Sequence, residues 1–401
     1  MKVCLLSDCY PPSIGGIENH VYCLAHHLAE MGHTVAVITH RPVASSAVAL
    51  PPEEPEDTVT VHRLKGFVAH WRGGDPYADP RLGPQVRSLL QAGGYDVVHG
   101  HTFDSLITLA GLRQGKKLGM ATVVTKHSMT GKPQRPKFVN EVLLAMERQV
   151  SRRWCSALIV LNEPTARQFA RTGVPVHVVP GGVNCQHWRP DAGLRQRQRR
   201  ALGYGEGDVV IGCLSRLVRA KGVDSLLRAA ALIHRAMPAA RVLLVGDGPM
   251  RRQLERQASA LGLSDVVAFT GFQPWWQIPQ YLNAMDIFAL PSHSEAFGLA
   301  LLEAMACALP AVARESEGTS RIMLPGETGF LVRSDEELRG RLLQLLQDAS
   351  LRQRLGARAR QHVQEQFGWA GVAAQVSAVY EAIVGHMPAA ISAVAARPSR
   401  R

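Results

Sequence analysis

Hydrophobic positions in the first part of the chain form short continuous runs, and stretches of helical spacing separate them. Between the first two runs, apolar side chains recur at helical spacing from Val21 to Leu28, and Gly32 ends the predicted helix. Continuous apolar strands that alternate with helices predict a parallel sheet covered on both faces. The predicted strands lie at residues 3–6, 34–39, 96–99, 122–125 and 157–161.

The same alternation starts again after residue 207 and predicts a second unit of the same kind. Its predicted strands lie at residues 209–214, 241–245, 266–270, 287–290 and 311–313. Residues 190–207 are charged and contain glycine, which is typical of an interdomain segment. Residues 42–60 are rich in Pro, Ala, Ser and Glu and predict an irregular loop, while helical patterns cover residues 336–366 and 369–384.

The bulk composition limits the class of protein. A chain of 401 residues is long enough for two domains, and no apolar run reaches the length of a membrane-spanning helix. The first apolar run meets Asp8 almost at once, which favours a buried strand over a signal peptide. The seven cysteines are scattered without metal-ligand spacing, so we expect reduced thiols, a cytoplasmic location and no metal cofactor.

A formal net charge of +12 admits nucleic acid, an anionic membrane face, anionic small molecules or a solvated arginine-rich surface as explanations. Basic clusters lie at residues 148–153, 195–200 and 397–401. Only 6% of residues are aromatic and no nucleic-acid motif is visible, so we expect no nucleic-acid partner. Peripheral contact with an anionic membrane stays open.

Two glutamates follow the predicted strand at 287–290. Glu295 would lie in the loop at the carboxyl end of that strand, and Glu303 in the next helix. Gly298 suits a close approach of the backbone to a ligand, and a helix N-terminus there can meet an anion. The alternative is a solvated helix with surface acids, but apolar residues surround Glu303, which favours a functional role.

Two further segments carry groups that could bind phosphate. Arg216 and Lys221 follow the predicted strand at 209–214, and Gly222 opens the next helix, so the two cations form a candidate clamp for a diphosphate. Gly15 and Gly16 lie between the first strand and the first helix, where backbone N–H groups can meet an anion. Each segment could instead be ordinary surface or a tight turn. His127, at the end of the strand at 122–125, is the best placed histidine.

Together these motifs resemble family 4 of the glycosyltransferases, the retaining enzymes with a GT-B fold, from Met1 to about Tyr380. The N-terminal segments Ser7-Asp8, Gly15-Gly16-Ile17-Glu18 and Gly32-His33 are similar to the branch that attaches N-acetylglucosamine to phosphatidylinositol. The resemblance implies two Rossmann-like domains with parallel sheets that face a central cleft. It implies an acceptor-binding domain at 1–190, a nucleotide-sugar-binding domain at 191–368, a helix at 369–386 that crosses back onto the first domain, and a disordered tail at 387–401.

The resemblance also assigns roles to residues. Arg216 and Lys221 would hold the donor diphosphate, and Glu303 would bind the ribose hydroxyls. Glu295 and the backbone N–H groups of Phe297 and Gly298 would contact the donor sugar. His127 would lie beside the transferred sugar, and the Gly15-Gly16 loop would close over phosphate and acceptor.

The expected reaction is transfer of a hexose from a nucleoside-diphosphate sugar to an acceptor hydroxyl, with retention and without a metal. No Asp-x-Asp motif occurs in the chain, which agrees with metal independence. UDP-N-acetylglucosamine or UDP-glucose is favoured as donor, and GDP-mannose is the alternative. The acceptor could be an inositol lipid, a cyclitol, a sugar phosphate or a glycan. A nucleotide-sugar epimerase, a phosphorylase on the same fold and a non-catalytic scaffold are the remaining alternatives.

Overall fold

The computed structural model describes residues 1–11, 16–40, 58–64, 81–127, 136–295 and 297–385. The chain folds into two compact units, one formed by Met1–Gly182 with the chain from Trp369 onward and one formed by Val183–Gly368. The boundary therefore lies at Gly182, where the sequence analysis placed it at residue 190. The tail expected at 387–401 lies outside the described residues.

Within the described residues, the first unit is built on a sheet of seven parallel strands in the order β3-β2-β1-β4-β5-β6-β7. The strands are β1 (Lys2–Leu6), β2 (Thr34–His40), β3 (Val59–Leu64), β4 (Val97–His101), β5 (Ala121–Lys126), β6 (Ala157–Val160) and β7 (Val176–Val178). The helices of this part of the chain are α1 (Gly16–Glu30), α2 (Leu82–Gly93), α3 (Leu106–Lys117), α4 (Lys137–Trp154) and α5 (Glu163–Phe169). Strand β1 lies between β2 and β4, so the chain order reverses beside it.

The second unit is built on six parallel strands in the order β10-β9-β8-β11-β12-β13. The strands are β8 (Val209–Leu214), β9 (Ala240–Val245), β10 (Val267–Phe269), β11 (Ile287–Leu290), β12 (Ala311–Arg314) and β13 (Gly329–Val332). Its helices are α6 (Ala192–Ala201), α7 (Val223–Ala236), α8 (Arg251–Ala260), α9 (Ile278–Ala284), α10 (Leu299–Ala306), α11 (Glu317–Ile322), α12 (Asp335–Gln347) and α13 (Ala349–Phe367). Here the chain order reverses between β8 and β11.

The last helix, α14 (Trp369–Gly385), packs against α1 and so belongs to the first unit. Its side chains Trp369, Val376 and Tyr380 are buried in one core cluster with Val21 and Leu24 of α1. Burial of large apolar side chains of this kind contributes roughly 1.5–3 kcal/mol each. The C-terminal segment is therefore held to the first unit by its own hydrophobic face.

Residues 190–207 lie within the second unit and are not an interdomain segment, contrary to the sequence-based expectation. Asp191 caps α6 by accepting a hydrogen bond from the Leu194 N–H, and α6 packs on α9. Arg195 and Arg199, one helical turn apart, both bind the carboxylate of Asp286, at 2.6 and 3.1 Å. The arginine-rich segment is thus an internal element of the second unit, and two of its cations are engaged in structure.

Three strands were missed by the sequence analysis. Strand β3 begins at Val59, inside the segment expected to be an irregular loop, and residues 42–57 of that segment lie outside the described part of the chain. Strands β7 and β13 are short and only partly buried, so their sequences lack a continuous apolar run. The segment expected to be helical at 336–366 forms two helices, because Asp348 ends α12 and caps α13.

Candidate functional site

The second unit has its topological switch point between β8 and β11. Because β8 pairs with β9 on one side and with β11 on the other, the connections that leave the two central strands diverge. In open parallel sheets, ligands bind at the carboxyl ends of the strands at such a point. Lys221 follows the end of β8 and Glu295 follows the end of β11, so both reach this position.

Lys221 and Glu295 form an ion pair. Nζ of Lys221 lies 2.7 Å from Oε2 of Glu295, and both side chains are partly buried. The two loops are also joined through the backbone, since the His293 N–H donates to the Ala220 carbonyl at 2.9 Å. The Glu295 carbonyl in turn accepts from the Gly318 N–H at 3.1 Å. The structure therefore brings together two of the residues singled out in the sequence.

Gly222 is required for this approach of the two loops. Its φ is +61°, and a Cβ atom at this position would lie 2.3 Å from the Pro291 carbonyl oxygen. Only glycine combines a left-handed backbone with so close a neighbour. Helix α7 begins at the next residue, Val223, so its N-terminal end opens beside the ion pair.

Arg216 lies between β8 and the 3-10 turn that carries Lys221. Its side chain is exposed, and no described residue forms a hydrogen bond or ion pair with its guanidinium. Its neighbour Leu217 is fixed, because the Leu217 N–H donates to the Asp247 carbonyl at 2.9 Å. Arg216 therefore stands on a loop that is fixed through Leu217. Its guanidinium has no partner within the described part of the chain.

Glu303 lies on α10, the helix that Gly298 begins with a φ of +99°. Its carboxyl group is partly buried, no side chain among the described residues binds it, and burial raises its pKa to about 8. A carboxyl group that is desolvated without a cation beside it makes Glu303 a candidate for a functional role. The ring of Phe297 is buried and meets Phe367 edge to face at 6.3 Å, so only its backbone could contact a ligand.

The first unit has its own switch point between β1 and β4. Asp8 follows β1 and accepts a hydrogen bond of 2.8 Å from the Ser105 hydroxyl, which lies after β4. Burial raises the pKa of Asp8 to about 6, although the Ser105 hydrogen bond lowers it. Gly16 is the first residue of α1, while Gly15 lies outside the described residues.

His127 directly follows β5 and lies within a cluster of histidines. Its Nε2 is 3.0 Å from Nδ1 of His101, and its ring meets that of His20 edge to face at 4.6 Å. Burial lowers the pKa of His127 to about 4, so the ring is neutral at neutral pH. The ring of Trp369 also meets that of His20 edge to face, with the centroids 4.9 Å apart.

Sequence reasoning gave no role to Asp8, His20 or His101. Asp8 could have been found, because it is the first acid after β1, next to the reversal of strand order. The two histidines carry no comparable signal, since they meet His127 only through contacts between separate elements. Predicted residues fall into two sets: Arg216, Lys221, Glu295, Phe297, Gly298 and Glu303 in the second unit, and Gly16 and His127 in the first.

Comparison with known proteins identifies the fold of this chain. The chain is similar to Anabaena HepE, whose structure was solved with UDP and glucose, with a TM-score of 0.76, 22% identity and coverage of 95% of this chain and 100% of that one. This likeness identifies the fold as GT-B, and the expected pair of parallel Rossmann-like units is confirmed.

Two family profiles match the sequence. The profile "Glycosyltransferase Family 4" matches residues 14–187, and the profile "Glycosyl transferases group 1" matches residues 195–362. The chain therefore belongs to glycosyltransferase family 4 and is a hexosyltransferase.

Two curated relatives show the range of the family around this chain. A phosphatidylinositol N-acetylglucosaminyltransferase subunit of Arabidopsis thaliana is 28% identical over 345 residues, which are 84% of this chain and 72% of that protein. A GDP-mannose-dependent phosphatidylinositol monomannoside mannosyltransferase of Mycobacterium tuberculosis is 26% identical over 411 residues, covering 94% of this chain and 97% of that protein. Within the described part of this chain, no helix combines the length and hydropathy needed to cross a membrane.

Proposed function

We propose that this enzyme transfers a hexose from a nucleoside-diphosphate sugar to an acceptor hydroxyl, with retention at the anomeric carbon and without a metal cofactor. The observation that carries the proposal is the Lys221–Glu295 pair at the switch point of the second unit. Arg216, an anchored cation with no partner among the described residues, stands on the same loop as Lys221.

Cations are needed because the leaving group is a diphosphate. As the bond between the sugar and the diphosphate breaks, negative charge grows on the phosphate oxygens. Arg216 offers a planar fork for two of these oxygens, and Lys221 offers a point charge. Stabilisation of developing charge by fixed groups is commonly the largest contribution to catalysis, and here it would replace a divalent metal.

The remaining site residues would position the donor. Glu303 would accept hydrogen bonds from the ribose hydroxyls, which gives its carboxylate the partners it lacks among the described residues. Glu295 would hold Lys221 in place and contact the donor sugar together with the backbone N–H groups of Phe297 and Gly298. His127 would lie beside the transferred sugar as a neutral ring, and the loop at Gly15 and Gly16 would lie near phosphate and acceptor.

For the donor we favour UDP-N-acetylglucosamine or UDP-glucose, with GDP-mannose as the alternative. The first choice is supported by the Arabidopsis relative, named for N-acetylglucosamine transfer, and by Anabaena HepE, which was crystallised with UDP. The alternative is supported by the GDP-mannose-dependent relative. Both curated relatives are named for phosphatidylinositol, so an inositol-containing acceptor is favoured over a cyclitol, a sugar phosphate or a growing glycan.

The donor is best identified by titrating purified protein with UDP, GDP, ADP and their sugar conjugates, with and without a chelator, in calorimetry and thermal unfolding. We expect one nucleotide to stabilise the protein equally with and without the chelator. Product analysis then separates transfer to inositol acceptors from epimerisation. Binding that requires a divalent metal would contradict the metal-independent mechanism, and binding of no nucleotide would contradict the proposed donor site.

We further propose that α4 brings the enzyme to an anionic membrane. Only Ser151 is buried among the 18 residues of this helix, whereas Phe138, Val142 and Met146 are 69%, 54% and 60% exposed. These three side chains recur at a spacing of four residues and so form one apolar stripe. Each could contribute roughly 1.5–3 kcal/mol on entering the acyl boundary of a bilayer.

Positive charge lies at the C-terminal end of the same helix. A groove of about 480 Å³ at the C-terminal ends of α3 and α4 is lined by Trp154 and by basic side chains. These basic side chains are Arg113, Lys116, Lys117 and Arg153. Cations beside an amphipathic helix attract anionic headgroups, and tryptophan favours the membrane interface.

Flotation with vesicles of phosphatidylcholine, with and without phosphatidylinositol, tests this surface. We expect the wild type to float with the anionic vesicles and a triple variant, Phe138→Ser/Val142→Ser/Met146→Ser, to stay in solution. Leu232→Ser is the matched control, because Leu232 is 46% exposed on α7 of the other unit. A triple variant that floats as well as the wild type would contradict a role of α4 in docking.

A further inference from the structure

Three imidazole rings from three separate elements converge in the first unit. His20 lies on α1, His101 ends β4 and His127 follows β5. Each ring offers a nitrogen atom, and these three atoms all lie within 4.8 Å of one another. The sheet itself sets the spacing of the last two, because β4 and β5 are paired with His101 opposite Thr125.

The geometry is close to that of a metal site with three histidine ligands. Zn–N distances of about 2.0–2.1 Å in a tetrahedron place ligand nitrogens roughly 3.3–3.4 Å apart. Nδ1 of His101 and Nε2 of His127 are already 3.0 Å apart, and the ring centroid of His20 is 4.6 Å from that of His127. The three ligand nitrogens lie within 4.8 Å of one another, so ring rotations that shorten the longest separation by up to roughly 1.5 Å would complete the tetrahedral spacing.

The protonation of the cluster suits a cation. Burial, together with the neighbouring histidines, lowers the pKa of His20 and of His101 well below the ordinary value. Neutral imidazoles are the form that binds metals, and the proton in the His101–His127 hydrogen bond would move to the other nitrogen of the ring that donates it. His99 packs against the cluster, because its ring stacks on that of His101 with the centroids 4.5 Å apart. The hydroxyl groups of Tyr380 and Thr125 hydrogen-bond to Nδ1 and Nε2 of His99, at 2.6 and 2.7 Å.

One nitrogen of His101 has no partner among the described residues. His101 is 1% exposed, and the unpartnered nitrogen is its Nε2. Its other nitrogen, Nδ1, faces His127. Because Nε2 is not the nitrogen that faces His127, it can carry the ring proton and leave the Nδ1 lone pair for a metal ion.

We propose that His20, His101 and His127 form a binding site for a single first-row transition-metal ion, and that a metal ion bound there inhibits sugar transfer. Zn²⁺ is the ion with which the effect on transfer is tested. An all-nitrogen donor set suits Zn²⁺, Co²⁺, Ni²⁺ and Cu²⁺ and does not suit Mg²⁺ or Ca²⁺. Three protein ligands leave a fourth position for water. Metal binding stands on the geometry alone, whereas inhibition rests on the proposed position of His127 beside the transferred sugar.

Co²⁺ spectroscopy tests the site without reference to activity. Chelator-treated full-length protein titrated with Co²⁺ should give the visible absorption of a tetrahedral complex, saturating at one ion per chain, and Zn²⁺ should displace it. His20→Gln and His101→Gln should each weaken binding about tenfold or more. His26→Gln is the matched control on α1, since His26 points away to Thr58 and Tyr22.

Several results would overturn the proposal. A near-ultraviolet thiolate band would place the metal on cysteines, and equal Co²⁺ affinity in His20→Gln would exclude the cluster. Circular dichroism establishes that each variant is folded, and if His101→Gln is not folded, His20→Gln carries the test alone.

Transfer assays test the inhibitory half. We expect Zn²⁺ to suppress transfer by the wild type with the midpoint measured for binding, and this midpoint to rise about tenfold in His20→Gln. Unchanged transfer by Zn²⁺-saturated enzyme would overturn inhibition. If no donor supports transfer at all, the proposed function fails, while the Co²⁺ result still decides the metal site.

Discussion

The ammonium group of Lys221 lies 2.7 Å from the carboxylate of Glu295 across the gap between the loops that follow β8 and β11. With side-chain exposures of 25% and 15%, neither group is fully solvated, so each depends on the other for compensation of its charge. In the proposed donor site, the pair would hold a cation at the switch point before the diphosphate binds. Preorganisation of this kind lowers the reorganisation needed during the reaction.

Removal of the Lys221 ammonium group should abolish this preorganisation. We expect Lys221→Ala to lower kcat about 10²- to 10³-fold, because the loss of one preorganised charge stabiliser has effects of this size. Lys221→Arg should retain part of the activity, since the charge remains while the point geometry changes. Steady-state kinetics with the identified donor measures both values.

Arg219→Ala is the control for these variants, because Arg219 is an exposed cation in the same short turn and has no assigned role. It should leave kcat within about twofold of the wild type, as surface substitutions have small effects. Wild-type turnover in Lys221→Ala would show that the lysine does not act on the leaving group.

The close approach of the two loops predicts a strict requirement for glycine at position 222. A Cβ in Gly222→Ala would meet the Pro291 carbonyl at 2.3 Å, and the φ of +61° disfavours alanine further. We expect a loss of roughly 1–3 kcal/mol in the free energy of unfolding, measured by urea denaturation. Gly207→Ala is the control, because a Cβ there meets no atom within 4 Å and the residue lacks a positive φ. Equal stability of the two variants would contradict the steric argument.

Much of the fold could be predicted from the sequence because the central strands are buried on both faces. Strands β1, β8 and β11 are continuous apolar runs in the sequence. Their predicted ends placed Lys221 after β8 and Glu295 after β11, which is where the structure has them. Edge strands such as β3 and β7 lack that pattern, since their side chains are only partly buried. The sequence signal therefore fades from the centre of each sheet to its edges.

Contacts between distant segments could not be predicted in the same way. Arg195 and Arg199 looked like surface charge because nothing in their own segment identifies Asp286 as their partner. Likewise His20 and His101 are separated by 81 positions and meet only after α1 has packed beside the sheet. Such residues become recognisable only when the three-dimensional neighbours of each charge or ring are known.

The arginines of α6 should therefore contribute to stability rather than to ligand binding. Arg199 is 8% exposed and donates to Asp286 and to the carbonyls of Ala284, Gly205 and Asp208. We expect Arg199→Ala to lower the free energy of unfolding by roughly 1–3 kcal/mol, because three backbone carbonyls lose a donor and the Asp286 carboxylate keeps only one of its two guanidinium partners. Urea denaturation measures the change.

Arg200→Ala provides the comparison, since Arg200 is exposed and has no side-chain partner among the described residues. Its free energy of unfolding should stay within about 0.5 kcal/mol of the wild type. If both variants are equally stable, the Asp286 contacts contribute little and α6 is held by its apolar face alone.

Substitution of Glu303 should stabilise the folded protein and weaken nucleotide binding. Because burial raises its pKa in the folded state to about 8, from an ordinary value of 4.5, the folded protein holds a proton that the unfolded chain releases. The contribution of this group to stability is therefore fully present below about pH 4.5 and is lost as the pH rises toward 8. Glu303→Gln removes the ionisation, so the variant should be more stable than the wild type by about 1–2 kcal/mol at pH 7, an amount reduced for the partial exposure of the carboxyl group.

The difference between the two proteins should grow with pH across this window and vanish at its acidic end, as measured by thermal unfolding in a series of buffers. Glu206→Gln, at an exposed loop position, should show no such trend. The same Glu303→Gln protein should bind the nucleotide about ten- to a hundredfold more weakly, because an amide has one acceptor oxygen where the carboxyl group offers two to the ribose hydroxyls. A variant that is no more stable at high pH, yet binds nucleotide normally, would place the carboxyl group in solvent and outside the donor site. Greater stability together with weaker binding is the combination expected of a residue that is kept for function at the expense of the fold.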